Sequence, residues 1–409
     1  MTAKKKAEVI HDVAVIGAGP SGLTAALLFA QKGLNTLLLA PEVNHTDGRT
    51  TALLQESVSL LESLGVWETL GTKAAPLRRM RLIDDTGRLI RAPEVTFDSA
   101  ELELDAYGYN LLNIDLNSAL EQAADRQQGL TFVRRAAAAY DFSETEVAIK
   151  DTDGALHKAR LAVAADGRES KLREAAGIDV RRWSYPQVAL VLNLDHDLPH
   201  GDVSTEFHTP TGPFTLVPLP GRSSSLVCVE TAETVDRLMA MSDGELALEL
   251  ERRAHSTLGK FKIATKPQKF PLSGLNAKSL VAHRVALIGE TAHVFPPIGA
   301  QGLNLSLRDV AALGRIIKAA HDRDQDIGSV LALGAYEKER RADISSRTAA
   351  VDALNRSLLN GFLPVQLARS AGLYLAGRVG PFRRLLMREG IAPGTKSSAG
   401  GLFPKKRSA

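Results

Sequence analysis

An α/β fold is predicted for this 409-residue chain: a Rossmann-type nucleotide-binding domain interrupted by a mostly antiparallel β-sheet domain, with a helical C-terminus. Three observations predict it. An apolar strand passes through a glycine turn into a helix within the first forty residues. A middle region from about Val180 to Leu272 is rich in β-branched and aromatic residues punctuated by Pro and Gly. From Arg284 a strand, a turn and a helix resume the α/β pattern.

The opening βαβ unit has a strand at Asp12 to Ile16, a helix at Leu23 to Gln31 that Gly33 stops, and a second strand at Thr36 to Leu39. A further helix is expected from Thr51 to Leu64. Strand-like pieces around Met80 to Arg91, with the turn Asp84-Asp-Thr-Gly87, have hairpin chemistry. Beyond Ala335 the pattern is helical until a Pro/Gly/Lys-rich tail after Ile391. The expected division is a discontinuous nucleotide-binding domain at 1–75, 106–180 and 276–345 and a sheet domain at 76–105 and 181–275. A C-terminal helical region at 346–395 and a tail at 396–409 complete it.

Composition narrows the function. With 50 basic against 47 acidic side chains the net charge of +3 carries no whole-surface footprint for nucleic acid. Cys228, the single cysteine, rules out an internal disulfide and a cysteine-held zinc or iron–sulfur site; in its strand-like run it reads as an apolar filler. Asp195-His196-Asp197, His200 and Asp202 look like a metal cluster, but Pro199 and Gly201 mark a turn, and no metal is assigned. No apolar run reaches the roughly 18 uncharged residues of a membrane-spanning helix. The start is too short and too charged for a signal peptide, so a cytoplasmic protein is expected.

Three motifs carry chemistry. Gly17-Ala-Gly19-Pro20-Ser21-Gly22 joins a strand to a helix: Gly17 permits the tight turn, Gly19 lets backbone approach a pyrophosphate, and Gly22 lets helix and strand pack closely. The helix N-terminus then faces the phosphates. The second strand runs into Ala40 where an acid normally grips a ribose, leaving Glu42 and Arg49 as candidate substitutes. Asp166-Gly167 ends a small-residue strand just before a helix. In the third motif the strand Arg284 to Ile288 leads to Gly289-Glu290. A turn through Pro296, Pro297, Gly299, Ala300 and Gln301 follows, and then a helix beginning Gly302-Leu303-Asn304 whose amides suit negative charge.

These motifs, in this order over about residues 10 to 390, resemble the class A flavoprotein monooxygenases, aromatic hydroxylases that carry FAD and lack a separate NAD(P)H domain. The resemblance makes the nucleotide-binding domain an FAD-binding domain. Gly17, Gly19 and Gly22 match its fingerprint, Asp166 and Gly167 the motif that serves both FAD and the pyridine nucleotide, and Gly289-Glu290 the one that holds the ribityl chain. Glu290 stands where Asp is usual and Ala300 where Gly is more frequent. Asp47 to Leu53, Gly108-Tyr109, Asn113, Trp183 to Ala189, Gly212 to Phe214 and Asp352 to Arg356 are similar to the ubiquinone-biosynthesis hydroxylases within that class.

The resemblance implies that NAD(P)H reduces the FAD and O2 supplies a hydroxyl to the ring of a polyprenylated phenol. Pro297, Gly299 and Gln301 are then pocket candidates, and no general base is assigned. A prenylated substrate implies peripheral contact with the inner membrane face and with other ubiquinone-biosynthesis proteins. The apolar and basic residues from Phe362 to Arg388 make a basic amphipathic pattern of that kind. Two alternatives stay open: a hydroxylase of a small soluble aromatic, and a catalytically weak flavin-binding component of a complex.

Overall fold

The computed structural model describes residues 9–42, 48–87, 91–296, 299–359, 374 and 378–387. Five parallel strands form the centre of an eight-stranded sheet, in the order Val285–Leu287, Leu156–Ala164, Ile10–Ile16, Thr36–Leu39 and Leu130–Val133. Parallel strands covered on both faces require continuous apolar runs, and Thr36–Leu39 is buried at every position. Helix Pro20–Gln31 packs against both Asn113–Arg126 and the 21-residue Gln301–His321. Val310, Leu313 and Ile317 of the latter enter the main core.

A nine-stranded sheet forms the second layer, in the order His293–Val294, Gln268–Ala277, Val180–His196, Ser223–Thr231, Pro213–Leu219, Val203–His208, Arg79–Asp84 and Val95–Asp98, with Phe261–Ile263 added beside Val180–His196. It is antiparallel except where Val203–His208 runs parallel to Arg79–Asp84. Helices Ala232–Met239 and Asp243–Arg253 cover one face, burying Leu190, Leu192, Leu216, Leu226 and Cys228 beneath Val235, Leu238 and Leu250. The short strand His293–Val294 extends this sheet directly from the third motif, so the two layers are joined at the site itself.

A small antiparallel sheet of Thr50–Leu54, Gly108–Leu112 and Ala75–Leu77 lies between the layers. It corrects the helix expected from Thr51: that segment opens as a strand, and the helix is only Gln55–Ser63. The physical reason is that the β-branched Thr50 and Thr51 find ladder partners in Leu112 and Leu111, a pairing local periodicity does not contain. The last long helix likewise starts earlier than Ala335, at Val330–Leu359. Of the basic amphipathic stretch, the described part is helix Gly380–Leu386 and its surroundings. There Arg383 pairs with Glu101 at 2.8 Å, and Met387 is buried with Val95, Phe97 and Tyr107.

Candidate active site

All three motifs sit at the carboxyl ends of neighbouring parallel strands, where α/β ligands bind. Gly17 has φ +107°, and a Cβ there would lie 2.3 Å from the Ala165 carbonyl oxygen; one on Gly22 would lie 1.9 Å from that of Gly17. Gly19 differs, because no protein atom comes within 4 Å of its missing Cβ. It precedes Pro20 at a helix start with no side-chain cap and no acid in its first turn. The Gln301–His321 helix also begins without a capping side chain or first-turn acid, behind Ala300 in the left-handed region at φ 53°. A Cβ on Gly289 (φ +64°) would sit 3.1 Å from Ser21 Oγ and 3.2 Å from Ser306 Oγ, so the first turn of one helix and the second turn of the other converge on it.

That arrangement fits a flavin dinucleotide. Gly19, Gly167 and Gly302 each leave open space where a side chain would stand, and two uncapped helix N-termini supply amides for negative charge. Pro297 lies outside the described residues.

The Asp166 carboxylate accepts hydrogen bonds from Ser170 Oγ, Lys171 N and Leu172 N, so its side chain caps its own loop, with Gly167 at φ +85° making the turn. Arg173, which sequence reasoning missed, is buried and donates to the Thr291 and Arg168 carbonyls at 3.0 and 2.9 Å. Nothing in its short polar surroundings signals that it bolts the second motif to the third. Arg168 meets Glu290 in a two-pronged pair at 3.0 and 3.2 Å; both side chains are about half exposed, which keeps the pair's contribution small.

Ala40 is buried and donates its amide to Val133 O. Glu42 is exposed, and its charge acts on Arg134, a guanidinium paired with Asp125 and lying 4.3 Å over Phe132. Arg49 stands on the sheet domain, its guanidinium 5.0 Å over the Phe270 ring. Its loop is tied there by Asn193 Nδ2 donating to Gly48 O and Thr50 Oγ1 to Ser225 Oγ.

Behind the third motif lies a buried polar cage. Asp309 accepts from the Gly289 amide at 3.0 Å, His293 Nε2 at 2.6 Å and Arg340 Nε at 2.8 Å. Burial alone would push its carboxyl up, but these cationic and hydrogen-bonding partners outweigh that and hold it below the usual range. Arg340 also reaches Asp343, which receives Arg308 and Arg347 as well. Arg347 Nη1 in turn donates to Gln301 Oε1 at 3.1 Å, and Gln301 Nε2 to Gly299 O at 3.0 Å. Asn304 makes four hydrogen bonds within the protein, accepting from Leu54 N and Ser57 Oγ and donating to Ala52 O and Ala300 O. Its side chain therefore ties the helix start to the small sheet. The backbone of Leu303 belongs to that same first turn.

Side chains alternate along strands, so Asn193, Ser225 and Phe270, which meet the Gly48–Thr50 loop, identify the face of the second sheet turned toward the flavin domain. Ala189, Val191, Val227 and Val229 share it. Val191 and Val227 are only half-buried, giving that face an apolar patch.

Comparison with known proteins agrees with this geometry. Residues 11–350 match the family described as FAD binding domain. The ubiquinone hydroxylase UbiL of Rhodospirillum rubrum is 34% identical over 394 residues, covering 94% of this chain and 90% of that one. The 3-demethoxyubiquinol 3-hydroxylase of Escherichia coli is 30% identical, covering 92% and 97%. In fold, p-nitrophenol 4-monooxygenase PnpA of Pseudomonas putida superimposes with a TM-score of 0.76 at 20% identity, covering 94% of this chain and 99% of that chain. Glycine turns, strand-end motifs and full-length similarity together identify the chain as an enzyme of the FAD-binding-domain family, a class A FAD-dependent aromatic-ring monooxygenase.

Proposed function

We propose that this enzyme uses NAD(P)H and O2 to hydroxylate the aromatic ring of a polyprenylated phenol in ubiquinone biosynthesis. The observation that carries the reading is the half-buried apolar pair Val191 and Val227 on the sheet face that meets the Gly48–Thr50 loop, in a protein with two uncapped helix starts: a greasy surface for a substrate ring and amides for a charged cofactor. The similarity to a ubiquinone hydroxylase along 94% of the chain supports the same substrate class.

Gly17, Gly19, Pro20, Ser21 and Gly22 hold the pyrophosphate at the first helix start. Gly167 and the loop that Asp166 caps approach the nucleotide, Glu290 takes the ribityl hydroxyls, and Glu42 or Arg49 stands in for the acid missing at Ala40. Bound FAD supplies the hydride acceptor and the oxygen chemistry. The protein's share is to place the ring, shed water and stabilise developing negative charge with the first amides of the Gln301 helix, through Gly299 to Asn304. Leu385 and Tyr374, exposed beside the basic residues Arg378 and Arg384, offer contact with a membrane surface or a partner on that surface. Among the described residues no helix is long and apolar enough to cross a membrane.

The test is genetic and chemical. A deletion strain should accumulate a quinone precursor lacking one ring hydroxyl, identified by mass, and the purified yellow protein should be bleached by NAD(P)H when a prenylated phenol is present. Normal quinone levels in the deletion strain refute the substrate assignment. Colourless protein that takes up no FAD refutes the cofactor site.

A further inference from the structure

We propose that Arg347, on the Val330–Leu359 helix, is a positioning residue for the flavin: anchored by Asp343, it clamps Gln301 and so sets where the first amides of the Gln301 helix point. The inference rests on the reading that those amides face the flavin. Three observations carry it. Arg347 spends Nε on Asp343 at 2.8 Å and Nη1 on Gln301 at 3.1 Å, so one planar guanidinium spans hub and turn in a fixed fork. Asp343 is no incidental acid, because Arg308, Arg340 and Arg347 all converge on it and their charges hold its carboxyl below its usual value against the opposing effect of burial. The turn being clamped is also unusual: Ala300, a residue with a Cβ, holds the left-handed conformation that glycine adopts freely, and no side chain caps the helix it starts.

A strained, uncapped helix start needs an outside hold, and Gln301 relays one, donating to Gly299 O while accepting from Arg347. Asp309, on the same helix, fixes the Gly289 amide through the other arm of the cage. The Val330–Leu359 helix therefore grips both ends of the third motif, through Arg340 and Asp309 at Gly289 and through Arg347 and Gln301 at Gly299.

The experiment measures the reduction equilibrium of bound FAD against a reference dye in the full-length holoenzyme, with bound FAD quantified by absorbance. Freed amides lose their aligned field, so Arg347→Ala is expected to make flavin reduction about fivefold less favourable, the scale of a helix-terminus charge effect, with FAD still bound. Arg347→Lys, which keeps the charge and one contact, should recover part of the loss. Gln301→Ala should match Arg347→Ala, and the double variant should exceed neither, because both break one clamp. An unchanged equilibrium in Arg347→Ala, or losses that add in the double variant, overturns the proposal. If Arg347→Ala does not fold, an unchanged equilibrium in Gln301→Ala overturns it alone. A wild-type protein that takes up no FAD refutes the underlying reading and this one with it, a result distinct from the other two.

Discussion

One methyl group placed at Gly19 or at Gly22 should separate cofactor binding from folding. At Gly22 the new Cβ would stand 1.9 Å from the Gly17 carbonyl oxygen and 3.1 Å from Ala165 Cβ. Ordinary contact is near 3.4 Å, so backbone that cannot swing aside must move by about 1.5 Å, an overpacking that costs about 1–3 kcal/mol. In a chain of this size that lowers the melting temperature by about 2 °C per kcal/mol. Gly19 is extended at φ −69°, ψ 174°, with no protein atom within 4 Å of the site of its Cβ. Gly19→Ala should therefore leave the FAD-free protein as stable as before, or about 0.4–1 kcal/mol more stable through its unfolded state. Its methyl instead occupies the pyrophosphate's space, and losing one charge-assisted hydrogen bond weakens FAD by about 10- to 150-fold. Thermal unfolding of the FAD-free forms and fluorescence titration with FAD read the two effects. Gly19→Ala retaining FAD within about twofold of wild type, or Gly22→Ala melting at the wild-type temperature, would refute the reasoning.

Three further outcomes follow from the same geometry. Asp309, held below the usual carboxylate range by His293, Arg340 and the Gly289 amide despite its burial, contributes stability that is present above the ordinary carboxylate pKa and lost as pH falls through the folded one. Asp309→Asn should flatten the decline in melting temperature below about pH 4, and a slope identical to wild type would count against the cage. Cys228 is buried and its thiol is pushed up to about 12, chiefly by burial; a thiol reagent at pH 8 should leave it untouched in the folded protein and react once per chain after unfolding. A Cβ at Gly274 would fall 2.1 Å from Trp183 Cε2. Gly274→Ala should turn the indole out of place, break its 2.7 Å bond to Tyr185 OH and red-shift the tryptophan emission; an unshifted spectrum would show that the ring is not held there.

The glycine motifs were legible in the sequence because each is a local backbone demand. Gly17 needs φ +107° and Gly22 needs room beside the Gly17 carbonyl, and both are met by neighbours within a few residues or by the adjacent strand. Runs such as Thr36–Leu39 likewise announce a strand buried on both faces. Thr50 and Thr51 show where this legibility fails: their partners, Leu112 and Leu111, lie about sixty residues away, and the helical spacing read locally was overridden by that pairing. Asn304 is placed at a helix start by its motif, yet its amide turns to Ala52, Leu54 and Ser57.

By itself, then, the sequence determined the strand–turn–helix units, since glycine spacing and apolar period are properties of contiguous chain, and the family resemblance carried by the motifs in those units pointed to the class of chemistry. Only the tertiary structure decided what surrounds the motifs. Arg173 bridging to Thr291, Arg347 reaching Gln301 and Arg308 reaching Asp343 join residues 118, 46 and 35 positions apart, on separate elements. Such contacts arise from how finished elements pack, and a long charged side chain carries no local mark of which distant partner it will meet.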